Sequence, residues 1–184
     1  MKIKIEAFEE ELNSLLEKAV ADAKTLKGFS EYELNHRVSS TSWSALECMQ
    51  HLNLYGDFYL PEIERIIDLK RYPASDTGYF HTGWLGNYFA NLMKATNDKI
   101  TKMKSPKDKN PIHSDLNITT IDRFIKQLEK MQLLFSQSKK SNLEKTRIPT
   151  SLSPMIKLKL GDTFRFLIYH IERHLLQAMK ALSA

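Results

Sequence analysis

The sequence predicts an all-α protein, and three observations carry that prediction. Apolar residues recur at steps of three and four in five separate stretches, the period of a helix with one buried face. Residues suited to helix ends, Ser, Thr, Asp, Gly and Pro, punctuate those stretches. No two segments alternate apolar and polar residues over enough length to make a convincing pair of strands.

Taken in order, Ile5, Phe8, Leu12, Leu15, Ala19 and Leu26 define a helix over about residues 4–26, which Gly28 ends. In the SSTSW stretch Ser42 or Ser44 can cap a second helix. Ser44 with Glu47 has capping-box spacing, in which the serine takes the amide three residues on and the glutamate returns to the cap amide. Trp43, Leu46, Leu54, Phe58, Ile63, Ile66 and Ile67 carry an apolar stripe to about Lys70. Pro61 lies inside it, lacks a donor and presses on the preceding turn, so a kink or break is expected near Tyr59 and Leu60. RYPASDTGYFHTG reads as a loop, and Leu85, Phe89, Leu92, Thr96, Ile100 and Met103 define a third helix.

A Lys/Pro loop follows. Thr119 with Asp122 marks the start of a fourth helix whose inner face is Ile121, Phe124, Leu128, Met131 and Phe135. Residues 139–160 contain Pro149 and Pro154 and one brief alternation at 156–160, so a long connection with one short extended piece is expected. Gly161 and Asp162 open the last helix, which runs through Phe164, Leu167, Ile168, Ile171, Leu175 and Met179 to about Leu182. There is no internal repeat.

At 184 residues the chain suits one domain, 1–184, with a full-sized core. An apolar fraction of 42% with 27% charged residues excludes a disordered chain, and no segment has the roughly 20 apolar residues of a membrane span. The first twenty residues carry acids throughout and lack the pattern of a secretory signal. The lone cysteine, Cys48, excludes an intramolecular disulfide, and a reducing, cytoplasmic setting is the expectation. The net charge of +5 could favour an anionic partner. However, Lys102, Lys104, Lys107 and Lys109 are interrupted by Ser105 and Pro106, and Lys139, Lys140 and Lys145 stand in a polar stretch. Solvated loop lysines fit better than a nucleic-acid surface, because no aromatic residues interleave with them.

Chemistry concentrates in the histidines. His170 and His174 are four apart on the last helix, one turn from each other on the face that carries Leu167, Ile171 and Ala178. Both imidazoles can reach one ion. Spacing alone favours a pair of core-edge histidines hydrogen-bonded to neighbouring helices over a metal site. His51, early in the second helix, is a candidate third ligand; three imidazoles with an open fourth position suit zinc, nickel or iron. Glu47 could orient His51, and Cys48 reads as small core filling. The H-E-x-x-H protease motif is not met, since Ile171 stands where its glutamate would be, and neither His170 nor His174 has the glutamate three residues before it that a di-metal carboxylate bundle uses. His36, His81 and His113 lie in expected loops.

Trp43-Ser44, then Gln50-His51-Leu52, then His170-x-x-x-His174-Leu175 with Arg173 and Gln177 together resemble the DinB/YfiT-like metalloenzyme family over nearly the whole chain. The resemblance implies a four-helix bundle with an additional short or kinked helical segment, in which His51, His170 and His174 bind a divalent metal. It implies that Trp43 packs at the start of the helix carrying His51. It further implies a transferase using a low-molecular-weight thiol, with a metal-bound thiolate attacking a small-molecule electrophile, or else a metal-dependent hydrolase. It allows for a homodimer. Tyr55, Tyr169, Arg173 and Gln177 are the polar side chains near the ligands in sequence, and none is identified as a general base. A bundle that keeps the fold as a non-catalytic, stress-related binding protein remains the alternative.

Overall fold

The computed structural model describes residues 1–75, 77–95 and 104–183. Among these, the chain is mostly helical, with four long helices, α1 (Ile5–Leu26), α3 (Ala45–Asp68), α5 (Thr119–Ser138) and α6 (Leu160–Leu182). Two short ones join them, α2 (Glu31–Asn35) and α4 (Trp84–Met93). The strands β1 (Lys2–Lys4) and β2 (Tyr79–His81) form one small antiparallel sheet, and β3 (Arg147–Thr150) and β4 (Ser153–Lys159) a second.

α3 packs on both α5 and α6, α1 packs on the same two helices, and α4 lies on α6. α1, α5 and α6 contribute the apolar stripes that their spacing predicts, whereas in α3 Leu46, Ile63 and Ile67 are buried as predicted but Leu54, Phe58 and Ile66 are only half-buried, Leu52, Tyr55, Tyr59 and Leu60 taking the inner face. In α1 the stripe runs through Phe8, Leu12, Leu16, Ala19, Ala23 and Leu26, with Leu16 taking the fully buried place and Leu15 left half-buried beside it. In α5 Ile121, Phe124, Leu128, Met131 and Phe135 are all buried. α3 and α5 are also joined by polar bonds, Asn53 donating to the Thr120 carbonyl at 3.0 Å and Gln127 to the Asn53 carbonyl at 3.2 Å.

The capping box at the head of α3 forms as the sequence predicts, with Ser44 accepting from the Glu47 amide and Glu47 from the Ser44 amide. A second one, Ser30 with Glu33, starts α2. α5 begins at Thr119 as expected, but Thr119 and Asp122 do not cap it. Asn117 accepts from the Thr119 amide and hydroxyl instead, and Asp122 pairs with Lys27, just past the end of α1, at 2.7 Å.

α3 is not broken at Pro61. The missing amide would have served the Asp57 carbonyl, and both residues lie on the exposed side where water can replace the bond, while Tyr59, Leu60 and Ile63 hold the buried side. α4 begins where the third helix was expected, but its buried positions are Gly86, Ala90 and Met93, one step round from the predicted Leu85, Phe89 and Leu92. Small residues face α6 here because the helices approach closely: a Cβ on Gly86 would lie 2.5 Å from Asp162 Cγ. The expected continuation through Thr96, Ile100 and Met103 lies outside the described residues.

The strands correct the expectation of none in pairs. β1 and β2 are only three residues each, too short for an alternation to register, and they are sutured by Ile5 donating to the Gly78 carbonyl and Thr82 to that of Met1. Residues 139–160 hold a hairpin rather than a single extended piece, Ile148 and Leu158 facing each other on its buried side. Pro149 is tolerated because a two-stranded sheet leaves each strand an open edge. Among the described residues no helix is long and apolar enough to cross a membrane.

Candidate metal centre

The packing of α3 on α6 brings His51 against His170 and His174. One donor nitrogen from each of the three rings lies within 4.8 Å of the other two, and no further His, Cys, Asp or Glu joins them among the described residues. His51 Nε2 and His170 Nε2 are 3.1 Å apart. Two nitrogens bound at 2.0–2.1 Å to one tetrahedral ion would be separated by about 3.3 Å, so the pair is already close to a ligand spacing. All three imidazoles are buried, as the phase of α6 predicts for His170 and His174.

Burial also sets their charge. It pushes His51 down to about 4, and it carries His170 and His174 well below the ordinary histidine value, helped by repulsion from neighbouring cationic forms. Near neutral pH the three are uncharged and offer lone pairs. The second ring nitrogens decide which lone pairs those are. His51 Nδ1 lies 2.5 Å from the Lys109 carbonyl and His174 Nδ1 lies 3.0 Å from Gln177 Oε1, both acceptors, so each Nδ1 keeps the proton and each Nε2 is bare. A proton on His170 Nε2, or a cation between the rings, satisfies the close pair. The donor set, its neutrality and its orienting acceptors fit a divalent metal of the zinc, nickel or iron type.

Aromatic rings wall the cluster. Trp43 lies 4.7 Å from the His51 ring and 5.6 Å from that of His174, with its indole N–H donating to Asn110 at 3.0 Å. Trp43 therefore touches the histidines themselves, besides packing at the start of α3. Tyr55 meets His170 edge-on at 4.6 Å, and Phe166 stacks on His170 at 5.7 Å. In front of the rings a cavity of about 390 Å³ opens, bordered also by Ser105, Arg173 and Gln177.

The remaining sequence candidates separate cleanly. Tyr169 points away from the cluster, its hydroxyl donating to Glu11 at 2.9 Å. Glu47 does not orient His51; it is buried and accepts two bonds from Arg37, at 2.7 and 2.9 Å, and one from the His113 amide at 2.5 Å. Cys48 is wholly buried core, where burial raises its thiol. His81 sits in β2 and pairs with Glu144, while His36 and His113 stay in connecting segments. The two contributors that sequence reading missed are Phe166 and the Lys109 carbonyl. Phe166 is one turn before His170 and could be found by extending the four-residue step; a backbone carbonyl leaves no such trace.

Comparison with known proteins completes this picture. A family model described as the DinB superfamily matches residues 16–178, a span that includes all three histidines and the helices carrying them. The same comparison with curated proteins and with solved structures finds no match.

Proposed function

The chain belongs to the DinB superfamily, and from that premise we propose that it is a metal-dependent enzyme built as one DinB-type four-helix-bundle domain over residues 1–184. His51, His170 and His174 hold one divalent ion. The observation that carries this reading is the meeting of three buried, uncharged imidazoles whose donor atoms lie within 4.8 Å of one another. The reaction is transfer of a low-molecular-weight thiol to a small electrophile, as the family resemblance implies, in a cytoplasmic setting.

A bound divalent ion supplies the positive charge that lets a thiol or a water lose its proton near neutral pH. The chain's own residues do the rest. The Lys109 carbonyl and Gln177 fix the two outer rings, so that ligand direction does not depend on the ion. Trp43, Tyr55 and Phe166 pack against the imidazoles and shield them from water, while the cavity gives access to the cluster. At about 390 Å³ that cavity has the size of a small-molecule site. Its rim of hydroxyl, amide and cationic groups, among them Ser42, Ser105, Gln177 and Lys104, can orient a polar thiol and its acceptor.

The test is metal content by mass spectrometry on protein purified without a metal-affinity tag, followed by thiol consumption with a chromogenic haloarene. About one ion per chain is expected, with both ion and turnover lost in His51→Ala and His170→Ala. Ester hydrolysis without added thiol would replace transfer by hydrolysis. Metal without any turnover would favour a binding bundle, and absence of metal after reconstitution would sink the enzyme reading altogether.

A further inference from the structure

At the other end of α3 from His51, about 22 Å along the helix by its rise per residue, a cleft of about 320 Å³ opens between the end of α3, the segment after it and the β3–β4 hairpin. Arg65, Arg71, Lys145, Arg147 and Lys157 line it, with Ile66 and Tyr72, and no carboxylate does. Arg65 is paired with Glu62 at 2.8 Å. The other four cations form no ion pair among the described residues.

The walls are fixed to each other. Asn142 donates its amide to the Tyr72 carbonyl at 2.9 Å and Ala74 to that of Lys140 at 3.1 Å, and Pro73 bridges to Ser141. Asn142 also accepts from the Lys145 amide at 2.9 Å, which sets the position of that residue's backbone.

Strand register concentrates the charge further. Arg147 stands directly opposite Lys159, and Lys157 opposite Pro149, so all three cations fall on one face of the hairpin, with Ile148 and Leu158 on the other. Like charges opposite each other weaken a sheet. Lys159 is relieved by Glu144 and the His81 carbonyl, whereas Arg147 and Lys157 have no such relief. Cations at the C-terminal end of α3 would be favoured by the helix dipole alone. That accounts for Arg65 and Arg71, but not for Lys145, Arg147 and Lys157 on the facing segments.

We propose that this cleft binds a small polyanion, a metabolite carrying two or more phosphate or carboxylate groups, at a site separate from the histidines. Its volume accommodates a compact molecule, its cations converge from three segments, and Tyr72 and Ile66 offer an apolar contact beside them.

Isothermal titration of the full chain with pyrophosphate, and separately with citrate, tests this and tells phosphate from carboxylate preference. At least one probe is expected to bind one site with a Kd below about 1 mM, weakened about tenfold or more by Arg147→Gln with Lys157→Gln. Lys24→Gln with Lys126→Gln removes the same charge elsewhere and is expected to change affinity less than about twofold, and His51→Ala to leave it unaltered. Failure of both probes, or equal weakening by the two double variants, overturns the proposal. So would loss of binding in His51→Ala, or tighter binding of a single-stranded oligonucleotide through Arg147 and Lys157.

Discussion

Glu47 illustrates how much one buried carboxylate can organise. It closes the cap of α3, receives the Arg37 guanidinium in a two-pronged contact and holds the His113 amide, so three segments meet on two oxygens. Burial alone would raise its pKa, but the bonds from Arg37, Ser44 and His113 outweigh that and hold it below the ordinary 4.5. A carboxylate whose folded pKa is lowered gives stability that is fully present above the unfolded value and lost as pH falls through the folded one. Glu47→Gln should therefore cost about 2–3 kcal/mol at pH 7 in a denaturant melt, and the gap between variant and wild type should narrow as the pH falls below the ordinary carboxylate value and the buried group takes up its proton. A gap that persists in acid would mean that packing, not charge, explains the loss. The Ser44–Glu47 spacing was legible in the letters; Arg37 and His113 were not, because they arrive through segments with no regular period.

At the scale of elements, strong periodicity translated directly into structure. α1, α5 and α6 begin and end within a few residues of where their stripes and punctuation place them, and the four-residue step from His170 to His174 fixed one side of the cluster. What spacing could not supply was the neighbour: that α3 lies on α6, bringing His51 to the pair, came only through the family resemblance. Pro61 misled because its rule concerns hydrogen bonds, and the affected carbonyl lies on an exposed side. α4 misled because close packing selected its smallest residues over its most apolar ones. Gly86→Ala makes this testable. Helix preference by itself would stabilise the variant by about 1 kcal/mol, whereas a Cβ 2.5 Å from Asp162 Cγ forces α4 away from α6. A net loss of about 1–3 kcal/mol is expected in chemical denaturation; a gain would show that α4 can move off α6 freely.

Over the whole molecule, the candidate ligands come from two helices distant in sequence, with one ring held by a third segment, the short 3-10 turn at Lys107–Lys109. An ion bound there ties these parts together only when the chain is folded, so it should raise the unfolding transition. Zinc added to metal-free protein at about 100 times its Kd is expected to contribute about 2.7 kcal/mol, or roughly 5–10 °C for a chain of this size. Differential scanning calorimetry should find that shift in wild type and not in His170→Ala; an equal shift in both would place the ion elsewhere. The contact at Lys109 also bears on how sequence variation is to be read. His51 uses the carbonyl of that residue and not its ammonium group, so many amino acids could stand at position 109 with the hydrogen bond intact. Adding or removing one residue between Ser105 and Asn110, however, would carry the carbonyl out of reach. Among related chains, selection at this turn would then be recorded in the length of the segment, and an inspection of column-by-column identity would pass over it.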